Sequence, residues 1–78
     1  MINKPMLVIW RDCTHFGEQS LSKKEIEEEP LLIMHDIGFL VVERKDAIAL
    51  AMEYIPEQEL YRHITWIPKV NIVKKVSL

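Results

Sequence analysis

The sequence contains few of the residues that define several protein classes. Its 78 residues include one cysteine, Cys13, and two glycines, Gly17 and Gly38. A single cysteine cannot form an intramolecular disulfide or supply the paired cysteines of a zinc ribbon, which argues against a disulfide-stabilised secreted scaffold. Two such widely separated glycines cannot form a phosphate-binding loop of the Walker type. We therefore expect a protein of a reducing compartment without Walker-type nucleotide chemistry.

Long hydrophobic runs and an excess of one charge are also absent. The first apolar run ends at Arg11 and Asp12, so it is too short for a signal peptide or for the roughly 20 residues that cross a bilayer. Ten basic and twelve acidic residues give a net charge of −2, unlike the strongly basic balance of a dedicated duplex-DNA binder. We expect a cytoplasmic protein that makes no membrane contact.

The composition is that of a folded domain, with 49% apolar and 28% charged residues. We interpret residues 1–78 as one small domain, because single domains usually contain about 100 to 200 residues. A chain of this size buries only about 60% of its unfolded surface, so its stability is marginal unless something supplements the core. The sequence therefore predicts a homo-oligomer.

The first half of the chain contains two apolar runs separated by a polar segment. Residues 6–13 are rich in branched and aromatic side chains and predict a strand. Ser22 and Glu25 match a capping box, which predicts a short helical turn that ends at Pro30. Residues 31–43 predict a second strand, and Gly38 within it indicates a bulge or bend.

The second half predicts three more strands. Residues 47–52 alternate three large apolar side chains with three alanines, a pattern typical of a strand. We expect the alanine face to allow close approach of another backbone or subunit. Residues 55–60 predict a loop and residues 61–67 a strand. Residues 68–71 predict a tight or 3₁₀ turn, because Pro68 lacks the N–H that would continue the strand ladder. Residues 72–78 predict the last strand.

This order of elements predicts an all-β fold, a small five-stranded barrel of the SH3-like or Sm-like type. It includes one short helical turn and a 3₁₀ turn before the last strand. Closure of the barrel would hide the strand edges that an open sheet exposes. We expect the core to consist of Trp10, Phe39, Val41, Ile48, Leu50 and Ile67.

Five short motifs follow one another along the chain. They are Trp10-Arg11-Asp12, the loop glycine Gly17, Gly38-Phe39-Leu40-Val41, Ile48-Ala49-Leu50-Ala51 and Ile67-Pro68-Lys69. With this order and spacing the chain resembles a family of small uncharacterised proteins encoded by bacteriophages and prophages. The resemblance implies a viral setting and a host-cell cytoplasmic location, and it implies no activity.

Candidate catalytic and metal-binding residues are few. His35-Asp36-Ile37-Gly38 contains the His-Asp signature of the HD phosphohydrolases, but those enzymes need a helical domain, and this region predicts a strand. We interpret His35 and Asp36 as solvent-facing residues beside a bulge. Cys13 and His15, with His35 or His63, lack a spacing that demands zinc binding or a thiol nucleophile, and Asp12 is a lone carboxylate. The sequence therefore predicts no enzyme, cofactor or metal.

The best binding constellation lies near the C-terminus, where cations and aromatic side chains occur together without an acid. Cations neutralise phosphates and aromatic rings stack on bases, which favours a site for a nucleotide or single-stranded nucleic acid. The residues are Tyr61, Arg62, His63, Trp66, Lys69, Lys74 and Lys75. We expect a non-enzymatic binding or accessory module of phage type. The alternatives are a counter-defence sponge for a nucleotide second messenger, an Sm-like single-strand binder, and a virion or protein-interaction subunit.

Overall fold

The protein forms one antiparallel sheet of five strands. A computed structural model describes residues 4–13 and 18–78. The strands are β1 (Lys4–Asp12), β2 (Leu32–Glu43), β3 (Ala47–Ile55), β4 (Leu60–Pro68) and β5 (Ile72–Ser77). A six-residue helix, α1 (Lys23–Glu28), lies between β1 and β2, and a 3₁₀ turn (Lys69–Asn71) joins β4 to β5. The predicted strand count, short helix and 3₁₀ turn are confirmed.

The strand order is β4-β3-β2-β1-β5, so β4 and β5 form the two edges. β1 pairs with β2 and β5, and β3 pairs with β2 and β4. Between the described residues no ladder joins β4 to β5, and the sheet is not closed. The prediction of an all-β fold is confirmed, whereas the predicted closure into a barrel is not.

β2 changes its partner near Gly38. Its first part pairs with β1, from the pair Asp12↔Leu32 onwards, and its pairing with β3 runs only from Phe39 to Glu43. A Cβ atom at Gly38 would lie 2.9 Å from the main-chain oxygen of Ala51, which is closer than side chains tolerate. Glycine therefore allows β2 and β3 to approach at this corner. The predicted bulge lies nearby, where the register shifts between Leu40 and Val42.

The core lies on one face of the sheet, where the strands overlap. Its buried members are Met6, Val8, Ile48, Leu50 and Ile67, with Trp10, Leu40 and Ile72 packed against them. Ile48, Leu50 and Ile67 were predicted correctly, and Trp10 contributes as a half-buried neighbour. Phe39 and Val41 are only half-buried and lie outside this cluster. The prediction was wrong for Phe39 because side-chain alternation from Gly38 and Leu40 directs it to the opposite face.

The alanine face of β3 is buried within the chain. Ala49 and Ala51 are 2% and 0% exposed. Ala49 lies between Val42 and Trp66, and Ala51 lies between Phe39 and Ile64. Larger residues on β2 and β4 therefore flank alanines that are already buried in a single copy, and close approach of another subunit to this face stays a prediction.

The hairpin of β3 and β4 is longer than predicted. Residues 52–64, which we call the hairpin arm, include the pairs Glu53↔Arg62, Tyr54↔Tyr61 and Ile55↔Leu60 and a tight turn at residues 56–59. These cross-strand pairs extend both strands into the segment predicted as a loop. Pro68 is the last residue of β4 and pairs with Ala47, because an edge strand tolerates a proline.

Candidate functional site

Three of the predicted binding residues lie on the hairpin arm. Arg62 Nη2 lies 3.0 Å from Glu53 Oε2, and His63 Nε2 lies 3.1 Å from Glu53 Oε1. The ring of Tyr61 stacks on that of Tyr54, with 4.9 Å between the ring centroids. His63 has a φ of 56°, in the left-handed region that non-glycine residues seldom adopt. The carboxylate of Glu53 therefore contacts both Arg62 and His63.

Two other predicted residues meet at the opposite end of β4. Lys69 Nζ lies 3.0 Å from Glu43 Oε2, and Lys75 Nζ lies 3.9 Å from the same oxygen. Lys69 holds the pKa of Glu43 below its ordinary value of 4.5, first through a hydrogen bond and then through its charge, and the charge of Lys75 adds to this effect. Burial opposes it by raising the pKa. Two ammonium groups thus share one carboxylate.

The remaining two predicted residues belong to neither group. The guanidinium of Arg44 lies 4.2 Å from the ring centroid of Trp66, a cation–π contact on the face opposite the core. Lys74 lies opposite Ile9 across the ladder between β1 and β5.

The predicted residues therefore do not form one continuous basic patch. Arg62 and Lys69 are seven positions apart along an extended strand, which corresponds to roughly 20 Å. Glu53 and Glu43 neutralise part of the positive charge in each group. The sequence showed the cations near the C-terminus, but their acidic partners come from β2 and β3, which linear charge distribution does not indicate.

A cleft that the sequence analysis missed lies beside the corner of β2. It has a volume of about 290 Å³. Its lining residues are His35, Asp36, Ile37, Leu50, Met52 and Thr65. Asp36 and Leu50 lie on the face that carries the core, because Asp36 pairs with Val8 and Leu50 pairs with Leu40 and Thr65. The cleft thus continues the core face into the part of the sheet where β2 and β3 diverge.

Asp36 is held in place by a tryptophan. Trp10 Nε1 donates a hydrogen bond of 2.6 Å to Asp36 Oδ2, and both side chains are half-buried. The prediction that Asp36 faces solvent was therefore wrong. A signal was present in the sequence, since a tryptophan placed in the core needs an acceptor for its indole N–H. The register that brings Asp36 to Trp10 comes only from the pairing of β1 with β2.

A second cleft, of about 260 Å³, lies where β1 ends. It is lined by Arg11, Asp12, Cys13, Leu31, Val70 and Asn71. Asn71 Nδ2 donates to the main-chain oxygen of Arg11 at 3.0 Å, and the Cys13 main-chain N–H donates to Asp12 Oδ1 at 2.8 Å. Asn71 thus joins the 3₁₀ turn to the end of β1, whereas the Asp12 hydrogen bond is local to the end of β1.

Cys13 and two of the three histidines, His35 and His63, lie in the described residues. His15 and the loop glycine Gly17 lie outside the described residues. In residues 4–13 and 18–78, no group of three or more His, Cys, Asp or Glu side chains could hold a metal ion. The described residues also contain no helix of the length and apolar character that crossing a bilayer requires.

Comparison of the chain with protein-family models, curated proteins and solved structures found no match. The resemblance to small bacteriophage and prophage proteins therefore stays a prediction.

Proposed function

We propose that the chain is a small non-enzymatic binding module that works as a homo-oligomer. The observation that carries this proposal is the large amount of apolar surface on one copy. Among the described residues, fourteen large apolar side chains are exposed, and eight apolar residues, three of them alanines, are buried. Where such side chains lie together on one face, the surface is typical of proteins that bind another molecule.

The shape of a single copy supports the same proposal. Its radius of gyration is 15.9 Å and its longest dimension is 52 Å. A compact domain of 78 residues has a radius of gyration of about 12 Å. A chain this extended buries less of its surface than a compact one, so contacts between copies would supply stabilisation that a single core does not.

The hairpin arm is the surface that we assign to self-association. None of its residues, all of which are described, is buried. Leu60 and Ile64 are each 53% exposed, and Trp66 beyond them is 45% exposed. The three positions are separated by even numbers of residues along β4, so their side chains lie on one face of this edge strand. An apolar strand edge of this kind favours pairing with a second chain.

The strand order also supports an SH3-like or Sm-like module. β4 and β5 lie at opposite ends of the order, so their pairing would close the sheet into a barrel. We propose that these edges are covered in the assembled protein, either by closure or by a neighbouring copy. The setting that we propose is the cytoplasm of a host cell, as the phage-type motifs imply.

A second candidate function is binding of an anionic nucleotide or single-stranded nucleic acid. The arrangement that favours it is the convergence of Lys69 and Lys75 on Glu43. A phosphate could replace the carboxylate between the two ammonium groups. The test is a thermal-shift screen with cyclic nucleotides and single-stranded oligonucleotides at low salt, because phosphate binding weakens steeply as salt rises. No stabilisation at low salt would reject this candidate.

The test of self-association is native mass spectrometry combined with light scattering at several protein concentrations. We expect the wild-type protein to be a multiple of the 9.2 kDa chain. The double variant Leu60→Ser/Ile64→Ser should shift this mass towards the single chain. Val70→Ser is the matched control, because Val70 is 92% exposed in the 3₁₀ turn away from the arm. A wild-type protein of 9.2 kDa at all micromolar concentrations would overturn the proposal.

A further inference from the structure

We propose that the cleft beside Asp36 binds an extended peptide segment of a partner protein and that a lysine or arginine side chain of this segment contacts Asp36. This inference rests on the proposed role of the chain as a binding module and names the ligand class. It does not depend on the number of copies in the assembly.

The first argument concerns the main chain around the cleft. β2 and β3 are central strands, yet their ladder extends only from Phe39↔Ala51 to Glu43↔Ile48. Residues 32–37 of β2 pair with β1 on one side, and residues 53–55 of β3 pair with β4 on one side. Among the described residues, no strand pairs with the other side of either segment, where β2 and β3 face each other. Unpaired edges of this kind bind an added strand through main-chain hydrogen bonds.

The second argument concerns the charge in the cleft. Trp10 donates to Oδ2 of Asp36, so Oδ1 is the oxygen left to accept from a ligand. The indole restricts the carboxylate before any ligand arrives, which lowers the entropy lost on binding. An ammonium or guanidinium group would make a charge-assisted hydrogen bond with it. A phosphate or a carboxylate in the same place would be repelled.

The third argument concerns size and apolar surface. A volume of about 290 Å³ lies at the lower limit of small-molecule sites, which measure about 300 to 1,000 Å³. Leu50 and Met52 supply apolar surface, and Thr65 adds a hydroxyl group. Lysine and arginine combine an apolar stem with a charged end. The cleft therefore matches one long basic side chain better than it matches a dinucleotide.

The experiment uses three synthetic pentapeptides that differ at one position. The probe is acetyl-Thr-Val-Lys-Val-Thr-amide, and its analogues carry glutamate or norleucine in place of the lysine. Calorimetry measures the dissociation constant with the full chain. Fluorescence in a Trp66→Phe background reports on Trp10, since the chain contains two tryptophans. We expect the lysine peptide to bind and the glutamate peptide to bind at least about tenfold more weakly.

Protein variants distinguish loss of the Asp36 charge from loss of the fold. Asp36→Asn retains an oxygen acceptor for Trp10 but removes the negative charge, so the fold should persist while affinity for the lysine peptide falls about tenfold. Glu28→Gln in α1 removes one negative charge elsewhere and should leave affinity unchanged. A lysine peptide that is N-methylated at alternate residues should also lose affinity, because it cannot form the main-chain hydrogen bonds of an added strand.

The outcomes distinguish this inference from the proposed self-association. Equal affinity for the lysine and glutamate peptides, an Asp36→Asn variant that binds like wild type, or no binding of the lysine peptide below about 1 mM would overturn the inference. Native mass spectrometry on the same samples reports the oligomer. An oligomer that does not bind the lysine peptide rejects only the inference. A monomer that binds the lysine peptide rejects only the proposed self-association.

Discussion

The two halves of β3 differ in burial although they belong to one strand. Residues 47–51 are all buried, whereas Met52 and Tyr54 are 68% and 39% exposed. The first half pairs with β2 on one side and β4 on the other. The second half pairs with β4 alone, because β2 has turned towards β1. Within β3, burial therefore follows the presence of a neighbouring strand on each side.

This difference explains why one part of the molecule, which we call the body, is well packed while the rest of the sheet is exposed. The body is the place where β1, β2, β3 and β4 overlap, and it contains Val8, Ile48 and Ile67, each 0% exposed. The hairpin arm and the cleft beside Asp36 lie where the neighbouring strands separate. The candidate binding surfaces are thus a direct consequence of the divergence of β2 from β3.

The comparison is tested most strongly by truncating one apolar side chain in each half of β3. Ile48→Ala removes a fully buried side chain and should lower the free energy of unfolding by about 2 to 5 kcal/mol. Met52→Ala in the exposed half should change it by less than about 0.5 kcal/mol. Side chains alternate along β3, so Met52 lies on the face opposite Ile64, which is one of the side chains assigned to self-association. Urea denaturation followed by circular dichroism at one protein concentration measures both.

Ile48→Val provides a milder form of the same test if Ile48→Ala does not fold. It should lower the free energy of unfolding by about 0.5 to 1.5 kcal/mol. Equal losses for Met52→Ala and Ile48→Ala would show that another copy covers the exposed half of β3 as completely as β2 and β4 cover the first half.

The corner that separates the two halves is tested at Gly38. Gly38→Ala places a methyl group about 2.9 Å from the main-chain oxygen of Ala51. Overpacking of this kind should lower the free energy of unfolding by about 1 to 3 kcal/mol. Hydrogen exchange should become faster at the amides that join β2 to β3 and stay unchanged in the hairpin arm. An alanine variant as stable as wild type would show that the two strands need not approach closely.

The smallest expected effect concerns Glu43, the last residue of β2. Its pKa is lowered in the folded protein, chiefly by the hydrogen bond and charge of Lys69. A carboxylate with a lowered folded pKa stabilises the protein above its ordinary value of 4.5, and this contribution disappears as the pH falls through the folded pKa. Glu43→Gln should therefore melt slightly below wild type near pH 7, and the difference should shrink below pH 4.5.

Glu28→Gln is the control for this measurement, because Glu28 makes no ion pair with the described residues. Its melting temperature should follow that of wild type at every pH. A difference between Glu43→Gln and wild type that stays constant from pH 7 to below 4.5 would contradict a role for the Glu43 charge.

The strands could be predicted from the sequence because their signals are local. Alternation in residues 47–52, Gly38 within an apolar run and the capping box of Ser22 and Glu25 all correspond to observed features; Ser22 Oγ accepts from the Glu25 main-chain N–H at 3.2 Å. The candidate sites could not be predicted in the same way. The bond from Trp10 to Asp36 joins residues 26 positions apart, and the ion pairs of Glu43 and Glu53 depend on strand pairing.

The amino-acid sequence by itself determined which segments become strands, where the helix begins and that one short chain has a small core. These properties depend on side-chain periodicity, capping and chain length, which act over a few residues or over the whole composition. Only the tertiary structure decided which faces are buried, which cations meet a carboxylate and where β2 parts from β3. The physical reason is that burial and charge pairing depend on strand register and on the neighbours at each side of a strand.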